Sequence, residues 1–345
     1  MSYKVHVEPS GHEFEAEGEE SVLDAALRHG YAFPYGCRNG VCGSCKGRLL
    51  SGNVHYAEDM LPGLEGEPAG SDAALFCQAL PRSDLRIQVH EVESVAEIAV
   101  RTLPCRVVRI DHLADDVIRL FLKLPEGQRM QFLAGQYIDF LLGDGRRRAF
   151  SIANAPHDDQ FIELHIRHVD GGAFTAYVFE QMKEKTILRF EGPLGTFFLR
   201  EDSDRPIIFM GGGTGFAPLK GMIEHAFQIG VERPMHLYWG VRAKPDLYLP
   251  ELPGRWVREH ANFRFTPVLS EPRPEDNWTG RTGFVHQAVL QDYPDLSDFE
   301  AYISGPPVMV EAGRREFLAH GMAEDAMYSD AFEFAADSRG KGQAG

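Results

Sequence analysis

The sequence predicts a multidomain protein of mixed class, α+β in its first third and α/β in its last, with a β-rich stretch between. Three observations support this. Residues 1–95 carry short strand patterns around one capped helix and a cysteine-rich loop. From about residue 101, short strands recur at even spacing with frequent turns, the texture of an antiparallel β-barrel or sandwich. From Pro206, an apolar run, a glycine loop and a helix open a series of further apolar strands, as in a doubly wound parallel sheet. At 345 residues the chain has room for two or three separate cores.

In the first third, residues 3–9 and 12–17 read as two strands joined by Pro9-Ser10-Gly11. Ser21 precedes Val22-Leu23-Asp24-Ala25-Ala26-Leu27-Arg28, a short helix with a capping residue and a terminal Gly30. A strand follows near 47–56, then a Pro/Gly/Glu-rich loop over 59–70 and a closing strand, Leu85-Arg86-Ile87-Gln88-Val89. Between helix and strand lies Cys37-Arg38-Asn39-Gly40-Val41-Cys42-Gly43-Ser44-Cys45, and a fourth cysteine stands at Cys77. Thiolates that converge on two irons from one short loop need tight turns and backbone N–H groups close to sulfur. Glycine permits both, and Gly36, Gly40, Gly43 and Gly47 interleave with the cysteines. C-x4-C-x2-C with a distant fourth cysteine is the spacing of a plant-type [2Fe–2S] loop, so Cys37, Cys42, Cys45 and Cys77 are the candidate metal ligands. Zinc is the competing reading, but zinc motifs usually pair two C-x2-C units, and here Cys77 stands alone.

Composition narrows the function classes. A formal charge of −16 argues against general nucleic-acid binding. Residues 1–98 hold seven Lys/Arg and sixteen Asp/Glu, so −9 of that charge lies on the cysteine-bearing segment. Such a face either steers a basic redox partner or serves solubility. No apolar run approaches the roughly 18 residues of a membrane span, and the N-terminus enters a strand pattern at once, unlike a signal peptide. Five cysteines, four of them in one ligand set, leave Cys105 over; that argues against a disulfide framework and for a cytoplasmic location. The fourteen histidines form no H-E-x-x-H or H-x-x-E-H cluster.

The middle third reads as strands at Cys105–Ile110, Val117–Leu124, Tyr137–Leu142, Phe161–Arg167 and Ile187–Glu191. Within it stand Arg148-Ala149-Phe150-Ser151 and, about twenty residues on, Gly171-Gly172-Ala173-Phe174-Thr175 ahead of a helix over 175–183. In the last third, Pro206-Ile207-Ile208-Phe209-Met210 leads into Gly211-Gly212-Gly213-Thr214-Gly215-Phe216-Ala217-Pro218 and a helix over 217–228. Strand, glycine loop and helix N-terminus make a phosphate cradle, because free amides and the helix dipole face the anion. The loop is not G-x-G-x-x-G, so the usual dinucleotide fingerprint does not apply. Met235–Gly240, Phe263–Leu269 and Ala301–Ser304 read as further parallel strands, and residues 337–345 as a disordered tail.

These motifs resemble those of the ferredoxin–NADP reductase superfamily, and the resemblance covers residues 3–335. The first third is similar to the β-grasp fold of plant-type ferredoxins. Arg148-Ala149-Phe150-Ser151 resembles the R-x-[YF]-S flavin signature, Gly172–Thr175 the G-x-x-[ST] motif, and Gly211–Pro218 the G-G-G-T-G-x-x-P nicotinamide loop. Ser304-Gly305-Pro306-Pro307-Val308-Met309 resembles C-G-P-P-x-M with serine in place of the cysteine that lies beside the nicotinamide. The order of parts resembles oxygenase reductase components and, closest of all, the CDP-6-deoxy-Δ3,4-glucoseen reductases.

The resemblance implies three domains: a [2Fe–2S] ferredoxin domain over 1–95, an FAD-binding β-barrel over 101–203 and an NAD-binding α/β domain over 204–336. It implies that Arg148 reaches the flavin phosphate, Phe150 packs beside the isoalloxazine, Ser151 points to its N5, and Gly172 and Thr175 open a helix that suits the pyrophosphate. Gly212, Gly213, Thr214, Gly215, Pro218, Gly305 and Pro306 would bind the nicotinamide dinucleotide, Ser304 would stand beside the reacting ring, and Phe332 would cover the flavin. FAD is expected rather than FMN, because FMN-binding relatives tend to carry the ferredoxin at the C-terminus. NADP-dependent members follow the serine after the 263–269 strand with arginine; here Glu271 stands there, which favours NADH over NADPH. Arg242, after the preceding strand, is the charge that would work against this. The implied activity is NADH oxidation, with single electrons leaving through the cluster to an oxygenase, hydroxylase or CDP-sugar dehydrase component. The competing readings are a flavin, quinone or other small-acceptor reductase and a non-catalytic electron carrier.

Overall fold

The computed structural model describes residues 2–36, 38, 40–41, 43–57, 61–68, 70–92 and 98–332. The chain divides into two compact units, one of residues 1–99 with 195–197, the other of residues 100–194 with 198–345. The expected tail over 337–345 lies outside the described residues.

In the first unit, β1 (Ser2–Glu8) and β2 (Glu13–Glu17) form a hairpin; α1 (Val22–Arg28) follows, then β3 (Lys46–Ser51), β4 (Ala73–Leu75) and β5 (Leu85–Gln88). They form one mixed sheet in the order β2-β1-β5-β3-β4, with β1 and β5 parallel, which is the β-grasp arrangement. In β2, Phe14 and Ala16 point inward and Glu13, Glu15 and Glu17 outward, the period-2 pattern of a half-buried strand. The α1 helix starts where Ser21 Oγ accepts from the Asp24 N–H, 3.1 Å away, and it buries Val22, Leu23, Ala25 and Ala26. The strand expected over 47–56 breaks in two, at Lys46–Ser51 and Val54–His55. Gly52 between them has φ +98°, and a Cβ there would meet the Asp84 carbonyl at 2.3 Å. Strand β4 and the two-residue strand Leu80–Pro81, which pairs with Val54–His55, have no counterpart in the sequence reading.

The second unit contains two sheets. β6 (Arg101–Ala114), β7 (Val117–Lys123), β8 (Tyr137–Leu141), β9 (Arg147–Ser151) and β10 (Ile162–Arg167) precede α2 (Ala173–Glu180), and β11 (Ile187–Leu194) follows it. All pair antiparallel in the order β9-β8-β11-β6-β7-β10. A closed barrel is expected from the sequence, but the edges meet at one bridge, Ile152↔Leu164, instead of a continuous ladder. Asn154 takes the place of the ladder. Its Nδ2 donates to the carbonyls of Asp158 (2.7 Å) and Phe161 (3.0 Å), and its Oδ1 accepts from the Glu163 N–H (2.8 Å).

The second sheet runs β12 (Ile207–Gly212), α3 (Phe216–Gln228), β13 (Met235–Val241), α4 (Glu251–Glu259), β14 (Phe263–Leu269), β15 (Arg281–Thr282), α5 (Val285–Asp292), β16 (Glu300–Gly305), α6 (Pro307–Ala319) and β17 (Met327–Ala331). The order β15-β14-β13-β12-β16-β17 is wholly parallel. Every residue of β12 and β16 is buried, as in a sheet covered on both faces. Strand order reverses between β12 and β16, so the crevice beyond their carboxyl ends is where such sheets bind ligands. Among the described residues, no helix is long and apolar enough to cross a membrane.

Candidate functional site

The cysteine loop is held by its neighbours. Lys46 pairs with Leu75, and the Phe76 N–H donates to the Cys45 carbonyl (3.2 Å), so Cys45 and Cys77 come to one end of the β3–β4 hairpin, both buried. Gly40 and Gly43 take φ +84° and +73°, a conformation that favours glycine. Gly63 closes over them: its N–H donates to the Gly40 carbonyl (2.9 Å), and a Cβ there would lie 2.9 Å from that same oxygen. Two buried thiols beside a loop of left-handed glycines fit a cluster site. Cys37 and Cys42, the other expected ligands, lie outside the described residues.

In the second unit the candidate residues come from six separate segments. β9 carries Arg148, Phe150 and Ser151. Arg148 Nη1 donates to the Arg147 carbonyl (2.7 Å), and Phe150 packs on Phe140 and Phe174 at ring-centroid distances of 5.8 and 5.7 Å. Arg146 and Arg147 are both exposed, and each is ion-paired. Arg146 pairs with Asp144 (2.6 Å) and Arg147 with Glu191 (2.6 Å), because the β8–β11 pairing brings the carboxylate across. Gly172 caps α2, and the Thr175 hydroxyl accepts from the Val169 N–H (3.1 Å) and donates to the Gly172 carbonyl (3.1 Å), so it shapes the turn.

The glycine loop leaves β12 with Gly213 at φ +54° and enters α3 at Phe216, with Pro218 buried in its first turn. Trp239 Nε1 donates to the Gly213 carbonyl (2.9 Å) and stacks on Phe216 at 4.1 Å, which fixes the loop's peptide orientation. A Cβ on Gly215 would lie 2.0 Å from the Ser304 carbonyl, so the loop packs against β16 with no room for a side chain. Gly305, at φ +146°, has the same problem against Gly212. Thr214 is half-buried, and Pro306 is exposed at the start of α6.

Register then aligns three residues on neighbouring strands: Gly211 pairs with Ser304, and Ser304 with Asp330. Ser304 is fully buried, and its hydroxyl has no partner among the described residues. Ser151 Oγ reaches Asp330 Oδ2 at 3.5 Å, joining the R-x-F-S strand to the carboxyl end of the parallel sheet. Phe332 follows directly, its N–H donating to the Gly305 carbonyl (2.8 Å).

The sequence reading missed Asp330 and Arg167. Arg167 Nη1 pairs with Asp116 (3.0 Å), while Nε and Nη2 are buried without a partner among the described residues; a Cβ on Gly213 would lie 3.5 Å from Nη2. That is one bidentate edge of a guanidinium turned toward a glycine loop, a donor set that fits a phosphate oxygen pair. No local motif marks it, since Arg167 ends an ordinary strand pattern. Glu271 is exposed, its N–H donating to the Arg242 carbonyl (2.8 Å), and Arg242 Nε lies 3.5 Å from Asp246. That ion pair draws the Arg242 guanidinium toward its own turn.

Known proteins place this architecture. Residues 5–82 match the 2Fe-2S iron-sulfur cluster binding domain, 104–199 the oxidoreductase FAD-binding domain and 209–315 the oxidoreductase NAD-binding domain. The CDP-6-deoxy-L-threo-D-glycero-4-hexulose-3-dehydrase reductase of Yersinia pestis is 43% identical over 332 residues, 96% of this chain and 99% of that one. The phenol hydroxylase P5 protein of Acinetobacter pittii is 37% identical over 343 residues, 98% and 96% of the two chains. The crystal structure of the Amycolatopsis cytochrome P450 reductase GcoB superposes with a TM-score of 0.79 at 34% identity, covering 96% of this chain and 98% of that one. The chain therefore belongs to the ferredoxin–NADP reductase-type oxidoreductases that join a 2Fe-2S domain to FAD- and NAD-binding domains, the family of dehydrase and oxygenase reductase components.

Proposed function

We propose that this protein oxidises NADH and delivers the electrons one at a time to a protein acceptor. The observation that carries the reading is the Ser151–Asp330 contact, which sets the expected flavin strand beside Ser304 and the glycine loop. Arg148, Phe150, Ser151, Gly172 and Thr175 would hold FAD, with Phe332 against its ring. Gly212, Gly213, Thr214, Gly215, Pro218, Gly305 and Pro306 would hold the dinucleotide, and the open edge of Arg167 would take its pyrophosphate. Bound flavin supplies the conversion, since it accepts a hydride and returns electrons singly. Ser151 and Asp330 would orient the flavin edge, and Ser304 would stand against the nicotinamide; without the cysteine thiol its part is packing and polarity. Cys37, Cys42, Cys45 and Cys77 would hold the cluster. Boundaries at 1–95, 101–203 and 204–336 suit these three roles.

Glu271 supports NADH over NADPH, because a carboxylate accepts hydrogen bonds from a ribose diol and repels a 2′-phosphate. The acceptor class is read from relatives whose names attach them to a dehydrase or to phenol hydroxylase, and the dehydrase reductase is the more similar of the two. A soluble cytoplasmic setting fits such partners. The test is one preparation purified without oxygen. Extracted FAD, about two irons per chain and NADH-driven reduction of both cytochrome c and a CDP-sugar dehydrase support the reading. FMN, absent iron, or transfer only to free flavin or quinone would replace it with a small-acceptor reductase.

A further inference from the structure

At the seam between the two sheets of the second unit lies a buried ionic cluster that no step above uses. Lys220, on α3, is 5% exposed. Its ammonium donates to three acceptors: Glu224 Oε2 (2.9 Å), the Ala153 carbonyl (3.1 Å) and Glu163 Oε2 (3.2 Å). Glu163 stands on β10, and its other oxygen lies 2.9 Å from His165 Nε2; His165 Nδ1 lies 3.0 Å from the Tyr248 hydroxyl, beyond β13. The cluster therefore ties β10 of the antiparallel sheet to two elements of the parallel sheet.

We infer that Lys220 is a positioning residue, setting the register of the glycine-loop helix against the R-x-F-S strand and so the approach of nicotinamide to flavin. The inference rests on the reading of that crevice as the hydride-transfer site. Lys220 lies five residues after Gly215, and Ala153 two residues after Ser151. The contact thus links the segment after the R-x-F-S strand to the helix that follows the glycine loop. Its neighbour Gly221 shows how close the approach is: a Cβ there would lie 3.0 Å from the Asn154 carbonyl and 3.4 Å from that of Ile152. Smooth helix-on-strand packing alone tolerates sliding, whereas an ammonium with three fixed acceptors has one position. Stability alone does not call for the ion pair, because well-packed apolar replacements of buried pairs are often as stable or more so. A directional contact adds register, and hydride transfer is sensitive to misplacement on the order of 1 Å.

The experiment compares wild type, Lys220→Met and Lys220→Met/Glu224→Gln, the last neutralising the carboxylate that the first leaves unpaired among the described residues, since Glu163 keeps its contact with His165. Flavin reduction is followed by anaerobic stopped flow at saturating NADH, with the NADH Kd, FAD content and Tm measured alongside. Amide exchange is followed over residues 150–156 and 210–221. In the paired variant, with FAD content and Tm close to wild type, the saturated rate is expected to fall at least about tenfold while Kd moves less than about threefold. Exchange in both segments is expected to rise at least about fivefold, with residues 2–36 unchanged. A wild-type rate in the folded paired variant overturns the inference, as does a loss that only tracks lost FAD. If the wild-type flavin is not reduced by NADH, the reading of the site falls. The exchange data then decide whether Lys220 holds the helix, and unchanged exchange overturns that too.

Discussion

The cysteine loop and the glycine loop both use glycine where one stretch of backbone comes close to another, but they are assembled differently. Around the cysteines, three candidate ligands sit within nine consecutive residues and the fourth follows one hairpin away. The second unit gathers its candidates from β9, β10, the α2 turn, the β12–α3 loop, β16 and β17. The first site is a property of a segment and the second a property of a packing arrangement. Damage should therefore stay local in the first and spread in the second.

The largest expected effect comes from the first site. Cys42→Ser should remove the iron chromophore and cut NADH–cytochrome c activity by about a hundredfold or more, while NADH reduction of the flavin stays within about twofold. Collapse of both rates in a folded variant would break the contrast between a local and a distributed site. Next is Gly215→Ala, where the added methyl would lie 2.0 Å from the Ser304 carbonyl. The loop and β16 must separate, so NADH Kd should rise more than about tenfold and stability fall by about 2 kcal/mol, with iron content unchanged. An alanine variant with wild-type Kd would show that the loop does not grip the dinucleotide. A smaller change follows from Glu271→Arg, which should move the ratio of kcat/KM for NADPH over NADH up by about tenfold, equivalent to about 1.4 kcal/mol. If the ratio stays put, Arg242 or another group reads the ribose.

The smallest effect near neutrality is on pH stability. Burial lowers the His236 pKa to about 4, with Asp292 opposing and Arg264 and Arg281 assisting. The fold favours the neutral imidazole, so its contribution is intact above the ordinary histidine pKa and is lost as pH falls from about 6.5 toward 4. By pH 5.5 this one group should cost about 1.4 kcal/mol. Thermal melts at pH 7 and 5.5 should show the flavin-reported transition falling, with a smaller fall in His236→Asn. If the cluster-reported transition falls in parallel, the two units unfold together and the contrast fails in thermodynamic terms.

Much of the local structure was legible in the residues. Helix α1 lies over the expected residues because Ser21 and Gly30 mark its ends, and β14 because its apolar run is bounded by turns. The motif strand β9 and the loop at Gly211–Gly215 carry their own residue types wherever they fold. The barrel was harder to read. Its closing contact depends on Asn154, an amide that reads as an ordinary loop residue until three backbone groups converge on it. Helices α4, α5 and α6 were not assigned at all, since their apolar faces gain meaning only against the parallel sheet.

The sequence alone determined the family architecture, the cysteine spacing and the glycine loop, because the motifs that mark them are short runs whose backbone demands are local. Tertiary structure alone decided that Ser304 stands between Gly211 and Asp330, that Ser151 reaches that carboxylate, that Arg167 turns an open edge toward Gly213, and that Lys220 is buried among three oxygens. Strand register and the packing of one sheet on another set those neighbours, and, apart from Glu224 four residues from Lys220, partners 26 to 179 positions apart leave no periodic trace in a single chain.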